Sequence, residues 1–195
     1  MRVFLGITGA SGAPYAARLL DALVRAECDV GIAASSAGVQ VLATELYADA
    51  RLPRDEVLAR FTEGAGGAAT IYDPNDYSSP YASGSAKVDG YVICPCSMST
   101  VGTVAAGAMA NLVHRAASVA LKEGRKLVLV PRETPLSTIH LEGLLTLLCA
   151  GAVILFAAPG FYHGADSIDD LVDFVVGRCL DQLGLENALI RRWGD

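Results

Sequence analysis

The sequence predicts an α/β protein with a three-layer, Rossmann-like fold: a mostly parallel sheet with helices on both faces. Three observations predict it. Short apolar runs recur along the 195 residues. Stretches with apolar residues at helical spacing separate them. Polar, turn-forming residues follow each apolar run. A parallel strand is covered on both faces and reaches its neighbour through a right-handed helical crossover, so this alternation fits a parallel sheet.

The elements follow in order. VFLGI (3–7) reads as a first strand, and residues 13–26 carry Ala16, Leu19, Leu20, Leu23 and Val24 at helical spacing. DVGIAA (29–34) reads as a second strand and GVQVLATELY (38–47) as a helix. GYVICP (90–95), KLVLVP (126–131) and AVILFAAP (152–159) read as further buried strands, with helical stretches over roughly 98–122, 137–150 and 167–183. Two stretches break the rhythm: 48–70, polar and then rich in Gly and Ala, and 73–86, DPNDYSSPYASGSA, dense in turn formers. A long irregular loop inside a compact domain is more often functional than idle. There is no internal repeat and no interdomain linker, so one domain is expected over residues 1–195.

Composition narrows the function. Hydrophobic residues make up 52% and charged residues 18%, an apolar balance that points to a subunit interface or a deep ligand pocket. A homo-oligomer is expected. No apolar run is long enough to span a membrane, and the net charge of −6 argues against nucleic acid as a partner. The N-terminal MRVFLGI is too short for a signal segment. Five cysteines without a pattern, Cys28, Cys94, Cys96, Cys149 and Cys179, argue against a disulfide framework. With three scattered histidines, at 114, 140 and 163, no metal site is expected, and the chain reads as cytoplasmic and reduced.

In parallel sheets ligands bind beyond the carboxyl ends of the strands. Those ends here read TGASG (8–12), SSAG (35–38), PCSMST (95–100), PRETP (131–135) and PGFYHG (159–164), each carrying hydroxyls, small residues or charge. Gly9-Ala10-Ser11-Gly12 precedes a helix, so free backbone N–H groups and the positive end of the helix dipole favour an anion there. It is neither G-x-G-x-x-G nor a Walker A loop; a phosphate seat and a bare turn both remain open. Ser97-Met98-Ser99-Thr100 opens another helix, and the small residues from Gly102 to Ala110 admit a flat ring, a neighbouring subunit or ordinary close helix packing. Arg132-Glu133 lies just past a buried strand. Arg115, Lys122 and Arg178 suit either a solvated helix face or, together, a phosphate clamp. Tyr162 lies in an aromatic turn and either contacts a ligand or caps the core. There is no Ser-His-Asp arrangement and no H-E-x-x-H, and His140 reads as a helix residue rather than a base.

Taken together, TGASGAPYAARLLDAL, VICPCSMSTV, LKEGRKLVLVPRETPLSTIHLEGLL, GAVILFAAPGFYHGADSIDDLVDFVVGRCLDQLGL and the terminal RRWG resemble the flavin prenyltransferases of the UbiX type. The resemblance covers nearly the whole chain, and PRETP and PGFYH are its most specific parts. It implies a fold shared with the homo-oligomeric flavin-containing cysteine decarboxylases and a metal-independent transfer of a dimethylallyl group from dimethylallyl phosphate to N5 and C6 of reduced FMN. The product, prenylated FMN, serves UbiD-type decarboxylases in routes such as ubiquinone biosynthesis. The resemblance also implies a homododecamer with the flavin at a subunit junction.

Residue by residue, the resemblance assigns Gly9, Ala10, Ser11, Ser35, Ser97, Met98, Ser99, Thr100 and Arg132 to FMN. It assigns Tyr162 and Arg178 to the prenyl phosphate, surrounded by Ser83, Gly84, Arg115, Lys122 and Glu133. Ser11 and Glu45 are candidates for handling protons at the flavin N5, and Glu133 or the released phosphate for removing the ring proton; these and Tyr162 form the candidate catalytic set. The cationic residues would stabilise charge on the departing phosphate in place of a magnesium ion, and Tyr77 and the flavin ring would face the allyl cation. Three positions depart from the family's usual residues: Ser36 follows Ser35 where relatives often carry Lys, Tyr77 replaces a frequent Trp, and Gly164 a larger residue. Two other functions fit the fold: a flavin-dependent decarboxylase of aromatic acids or cysteine derivatives, and a flavin carrier without turnover. The phosphopantothenoylcysteine decarboxylases carry Pro-x-Met-Asn, whereas this chain has Ala108-Met109-Ala110-Asn111 without the proline. A carrier has no need of a prenyl-phosphate clamp.

Overall fold

The computed structural model describes residues 1–195 except 66, 163, 191–193 and 195, so His163 and the first three residues of the RRWG motif lie outside the described residues. In chain order the elements are β1 (Arg2–Ile7), α1 (Ala13–Arg25), β2 (Asp29–Ala34), α2 (Ser36–Tyr47), α3 (Arg54–Thr62), β3 (Ala69–Ile71), β4 (Gly90–Cys96), α4 (Met98–Ala105), α5 (Leu112–Lys122), β5 (Lys126–Pro131), α6 (Thr138–Cys149), β6 (Val153–Ile154) and α7 (Ile168–Leu183). The strands form one six-stranded sheet in the order β3-β2-β1-β4-β5-β6, and every pairing is parallel. The Rossmann-like α/β class expected from the sequence is the observed fold.

Two cores flank the sheet. Side chains of α1, α2, α3 and α7 bury one face against Val3, Leu5, Ile7, Val30, Ile32, Val92 and Val128. Those of α4, α5 and α6 bury the other against Phe4, Tyr91, Ile93, Leu127 and Leu129, where Phe4 stacks 5.0 Å from Tyr81 and 6.1 Å from Tyr91. The alternation along β1 and β4 therefore divides two apolar faces rather than an apolar and a polar one. All seven residues of β4 are buried, and each large side chain so buried contributes about 1.5–3 kcal/mol of transfer free energy.

Three element assignments differ from the sequence reading. The stretch 48–70 is not irregular: it holds α3, whose Val57, Leu58 and Phe61 are buried, and β3, which pairs with β2 through Val30–Ala69, Gly31–Thr70 and Ile32–Ile71. The helical stretch 98–122 is two helices. Gly107, with φ of 72°, turns the chain after α4, and Asn111 caps α5 by accepting from the His114 amide. The long apolar run 152–159 contributes only Val153–Ile154 as strand. Beyond them Leu155 and Ala157 donate to the carbonyls of Leu129 and Pro131 at 2.8 and 2.9 Å, a one-sided tether to β5 at the edge of the sheet.

Candidate functional site

The strand order reverses at β1, which runs to β2 on one side and β4 on the other. The helices that follow β1 and β4, α1 and α4, pack on opposite faces. A crevice between the two following loops is the ligand position that this topology creates. The β1–β4 pairing extends from Val3–Gly90 to Gly6–Ile93, and β4 is irregular between Ile93 and Cys96. Past that point Thr8 takes over. Its amide and its hydroxyl both donate to the Pro95 carbonyl, at 3.1 and 2.9 Å, and its Oγ1 accepts from the Ser97 amide at 2.7 Å. Thr8 is buried. The sequence signal for this role is a threonine closing an apolar strand at the switch point, and Thr8 is absent from the site residues expected above.

The glycine turn is built differently from the expectation of free amides. Gly12 has φ of 138°, a conformation that favours glycine. Its amide and that of Ala13 donate to Glu45 Oε2 at 2.9 and 2.8 Å. A carboxylate from α2 thus already occupies the positive end of α1, which corrects the reading of this helix start as an open anion seat. Ser11 and Gly9 are exposed and Ala10 is buried. The Ser11 carbonyl accepts from Arg132 Nε at 3.4 Å, which brings the end of β5 to the turn after β1.

Ser35 and Ser97 are helix caps. Ser35 Oγ accepts from the Gly38 amide at 3.0 Å, and the Ser35 amide donates to the Ile7 carbonyl at 3.0 Å. Gly38 packs so closely that a Cβ there would lie 2.4 Å from the Ile7 carbonyl oxygen. Ser97 Oγ accepts from the Thr100 amide at 3.3 Å and shares a hydrogen bond with Thr100 Oγ1 at 3.1 Å. Met98 and Thr100 are buried and Ser99 is exposed. The crevice therefore gathers Gly9, Ala10, Ser11, Ser35, Ser97, Ser99 and Arg132 at the carboxyl edge. At Gly9 an added Cβ would stand 2.6 Å from Ala37 Cβ, so only backbone fits there. The hydroxyls and the one guanidinium gathered there are groups that can hydrogen-bond an anionic ligand.

The residues expected around a prenyl phosphate are not together in one chain. On the α5 face, Arg115 Nε donates to the Ala82 carbonyl at 2.9 Å, and Arg115 lines a surface groove with Tyr77, Ala82 and Met109. Lys122 on the same helix pairs with Glu123, and a Cβ at Gly84 would lie 2.6 Å from Lys122 Nζ. Ser83 Oγ bonds Ser85 Oγ at 2.9 Å, while Arg125 holds the Gly84 carbonyl at 2.6 Å. On the other face Arg178 pairs with Asp181 at 2.8 Å and lines a groove with Leu155, Phe174 and Gln182. Tyr162, 61% exposed, stands edge-on to Phe174 at 5.8 Å. Glu133 lies past β5, its carboxylate accepting from the Thr134 amide at 3.1 Å. The single cluster expected from the sequence is thus split: Ser83, Gly84, Arg115 and Lys122 lie on one side of the sheet, and Tyr162 and Arg178 on the other. Spacing along the chain carries no sign of this division.

Other reactive groups are structural. Burial pushes the thiols of Cys96 and Cys179 up to about 12, and that of Cys94 well above its ordinary value, so all three stay protonated. His140 closes the capping box of α6 with Ser137. Among the described residues no group of three or more His, Cys, Asp or Glu is placed to hold a metal ion, and no helix is long and apolar enough to cross a membrane.

This fold and crevice define the class as a flavoprotein: residues 1–180 match the Flavoprotein family model. The chain is 50% identical over 199 residues to the flavin prenyltransferase UbiX of Pseudomonas aeruginosa, covering 100% of this chain and 94% of that protein. It belongs to the UbiX flavin prenyltransferase family. Its fold is similar to a crystal structure described as AnUbiX (PadA1) in complex with FMN and dimethylallyl pyrophosphate, with a TM-score of 0.88, 37% identity, and 100% and 97% of the two chains covered. It is also similar to a dodecameric FMN-dependent UbiX-like decarboxylase from Escherichia coli O157:H7, with a TM-score of 0.86, 40% identity and 100% of both chains covered.

Proposed function

We infer that this protein is a flavin prenyltransferase that joins a dimethylallyl group from dimethylallyl phosphate to reduced FMN, the product serving a UbiD-type decarboxylase in the cytoplasm. The observation that supports the reading is the switch point, where Ser11, Ser35, Ser97 and Ser99 follow the ends of β1, β2 and β4 and Arg132 reaches the Ser11 carbonyl, in a chain of this family. Bound reduced FMN supplies the nucleophilic ring atoms. Gly9, Ala10, Ser11, Ser35, Ser97, Met98, Ser99, Thr100 and Arg132 hold it.

Arg115, Lys122, Arg178 and Tyr162 bind the prenyl phosphate and stabilise the charge that grows on it as the allylic C–O bond breaks. Ser83 and Gly84 position it, Ser11 and Glu45 would hold the proton at N5, and Glu133 or the released phosphate would accept the proton lost at ring closure. Because Tyr162 and Arg178 lie across the sheet from Arg115 and Lys122, two copies of the chain complete this phosphate site. Exposed apolar side chains on α6, Ile139, Leu141, Leu145 and Leu148, supply surface for such an assembly. The dodecamer described for the Escherichia coli relative fits this reading, and residues 1–195 act as one flavoprotein domain.

Incubating the protein with reduced FMN and dimethylallyl phosphate without air, and then weighing the released flavin, tests the function. A gain of one five-carbon unit is the expected result. An unchanged flavin, or consumption of an aromatic acid in its place, would overturn it in favour of a carrier or a decarboxylase.

A further inference from the structure

Thr8 belongs to no group assigned above to FMN or phosphate, yet its hydroxyl uses both of its hydrogen-bonding roles across the switch point. As donor it reaches the Pro95 carbonyl at 2.9 Å, and as acceptor it takes the Ser97 amide at 2.7 Å. The backbone ladder between β1 and β4 ends at Gly6–Ile93, so Thr8 is what continues the link between these strands to their carboxyl ends. One residue after Thr8 the turn Gly9-Ala10-Ser11 begins. The same Ser97 carries the Oγ that caps α4 through the Thr100 amide. Thr8 is buried, so removing the hydroxyl would leave the Ser97 amide without its acceptor and the Pro95 carbonyl with the Thr8 amide as its remaining donor.

We propose that Thr8 is a positioning residue for the flavin seat: its hydroxyl fixes the turn after β1 against the start of α4 before FMN arrives. The proposal rests on the reading of the crevice as the FMN site. It acts through Ser97 and the Ser11 turn, not by touching the reacting atoms. Its energetic content is pre-organisation, since a seat already held in place spends less of the binding free energy on ordering.

The test uses Thr8→Val, which keeps the shape and removes the hydroxyl, and Thr8→Ser, which keeps the hydroxyl and removes the methyl. FMN affinity is read by quenching of flavin fluorescence, beside the visible spectrum of the bound flavin and the Tm of each flavin-free protein. Thr8→Val is expected to raise the FMN Kd about tenfold or more, and Thr8→Ser to stay within about threefold of wild type. Equal Kd values for wild type and Thr8→Val would overturn the proposal, and so would a Thr8→Ser variant as weak as Thr8→Val, which would assign the effect to methyl packing. A measurement on the wild-type protein stands apart from whether the valine variant folds. In hydrogen exchange without FMN the Ser97 amide is expected to be protected, and free exchange there would overturn the proposal. A wild-type protein that binds no FMN would overturn the flavin reading itself, whereas wild-type binding with an unaffected valine variant overturns only the role of Thr8.

Discussion

Around the ends of β1 and β4 the chain closes on itself, and around β6, α6 and α7 it stays open. At the first region Thr8 spans two strand ends, Glu45 caps α1, Ser35 and Ser97 cap α2 and α4, and Arg132 reaches the Ser11 carbonyl. At the second, Ile139 is 79% and Leu145 59% exposed, β6 has two residues, and Tyr162 lies on the surface. Bonds between strand ends satisfy the first region internally, whereas the second leaves apolar side chains of α6 exposed and holds Arg178 at the surface beside Asp181. On the proposed reading the difference separates the two parts of the chemistry: the first region lies at the flavin seat, and the phosphate clamp calls for a neighbour.

The largest effect that would sharpen this comparison is at Gly38, where the closed region leaves no room. Gly38→Ala would push a methyl group against the Ile7 carbonyl, 2.4 Å from the ideal Cβ position. Overpacking of this kind costs about 3 kcal/mol. Chemical denaturation is expected to show that loss together with weakened FMN binding; a variant with unchanged midpoint and FMN Kd would mean that the seat is not rigid.

Next comes Arg178 in the open region. Arg178→Ala is expected to raise the KM for dimethylallyl phosphate about tenfold, corresponding to about 1.4 kcal/mol of lost charge-assisted bonding, while the FMN Kd stays within about twofold. Equal loss of both would break the division between the two regions.

The smallest effect is at His114, which fastens the turn between α4 and α5. Its Nδ1 accepts from the Ala110 amide at 3.2 Å, and burial holds the imidazole below its ordinary pKa. The unfolded chain binds the proton more readily than the folded one, with a pKa near 6.5. The stabilisation is therefore full above that value and is lost as pH falls from about 6.5 towards the folded value. Between about pH 7.5 and 5.5 the Tm of wild type should fall more than that of His114→Gln; parallel curves would show that the imidazole contributes no pH dependence.

What the sequence made legible follows the same division. β1, β2, β4 and β5 were readable because strands buried on both faces are continuous apolar runs. β3 was hidden because Ala69-Thr70-Ile71 is short and follows a Gly/Ala-rich stretch. The run 152–159 read as a full strand because apolar residues there look the same whether they pair within the sheet or face outward. The hydroxyls of Ser11, Ser35 and Ser97 were readable from their places after strands. The bonds of Thr8 and Glu45, made to partners 87 and 33 residues away, leave no local pattern. The separation of Arg178 from Arg115 is a property of which face each helix covers, and helical periodicity alone does not assign faces of the sheet.

Glu45 has one more consequence. In dinucleotide-binding relatives of this architecture the pyrophosphate rests at the start of the first helix. Here those amides hold a carboxylate at 2.8 and 2.9 Å, so a pyrophosphate arriving there would meet a like charge and no vacant donors at Gly12 and Ala13. The chain supplies its own counter-ion to that helix, and in doing so turns away the commonest guest of its fold.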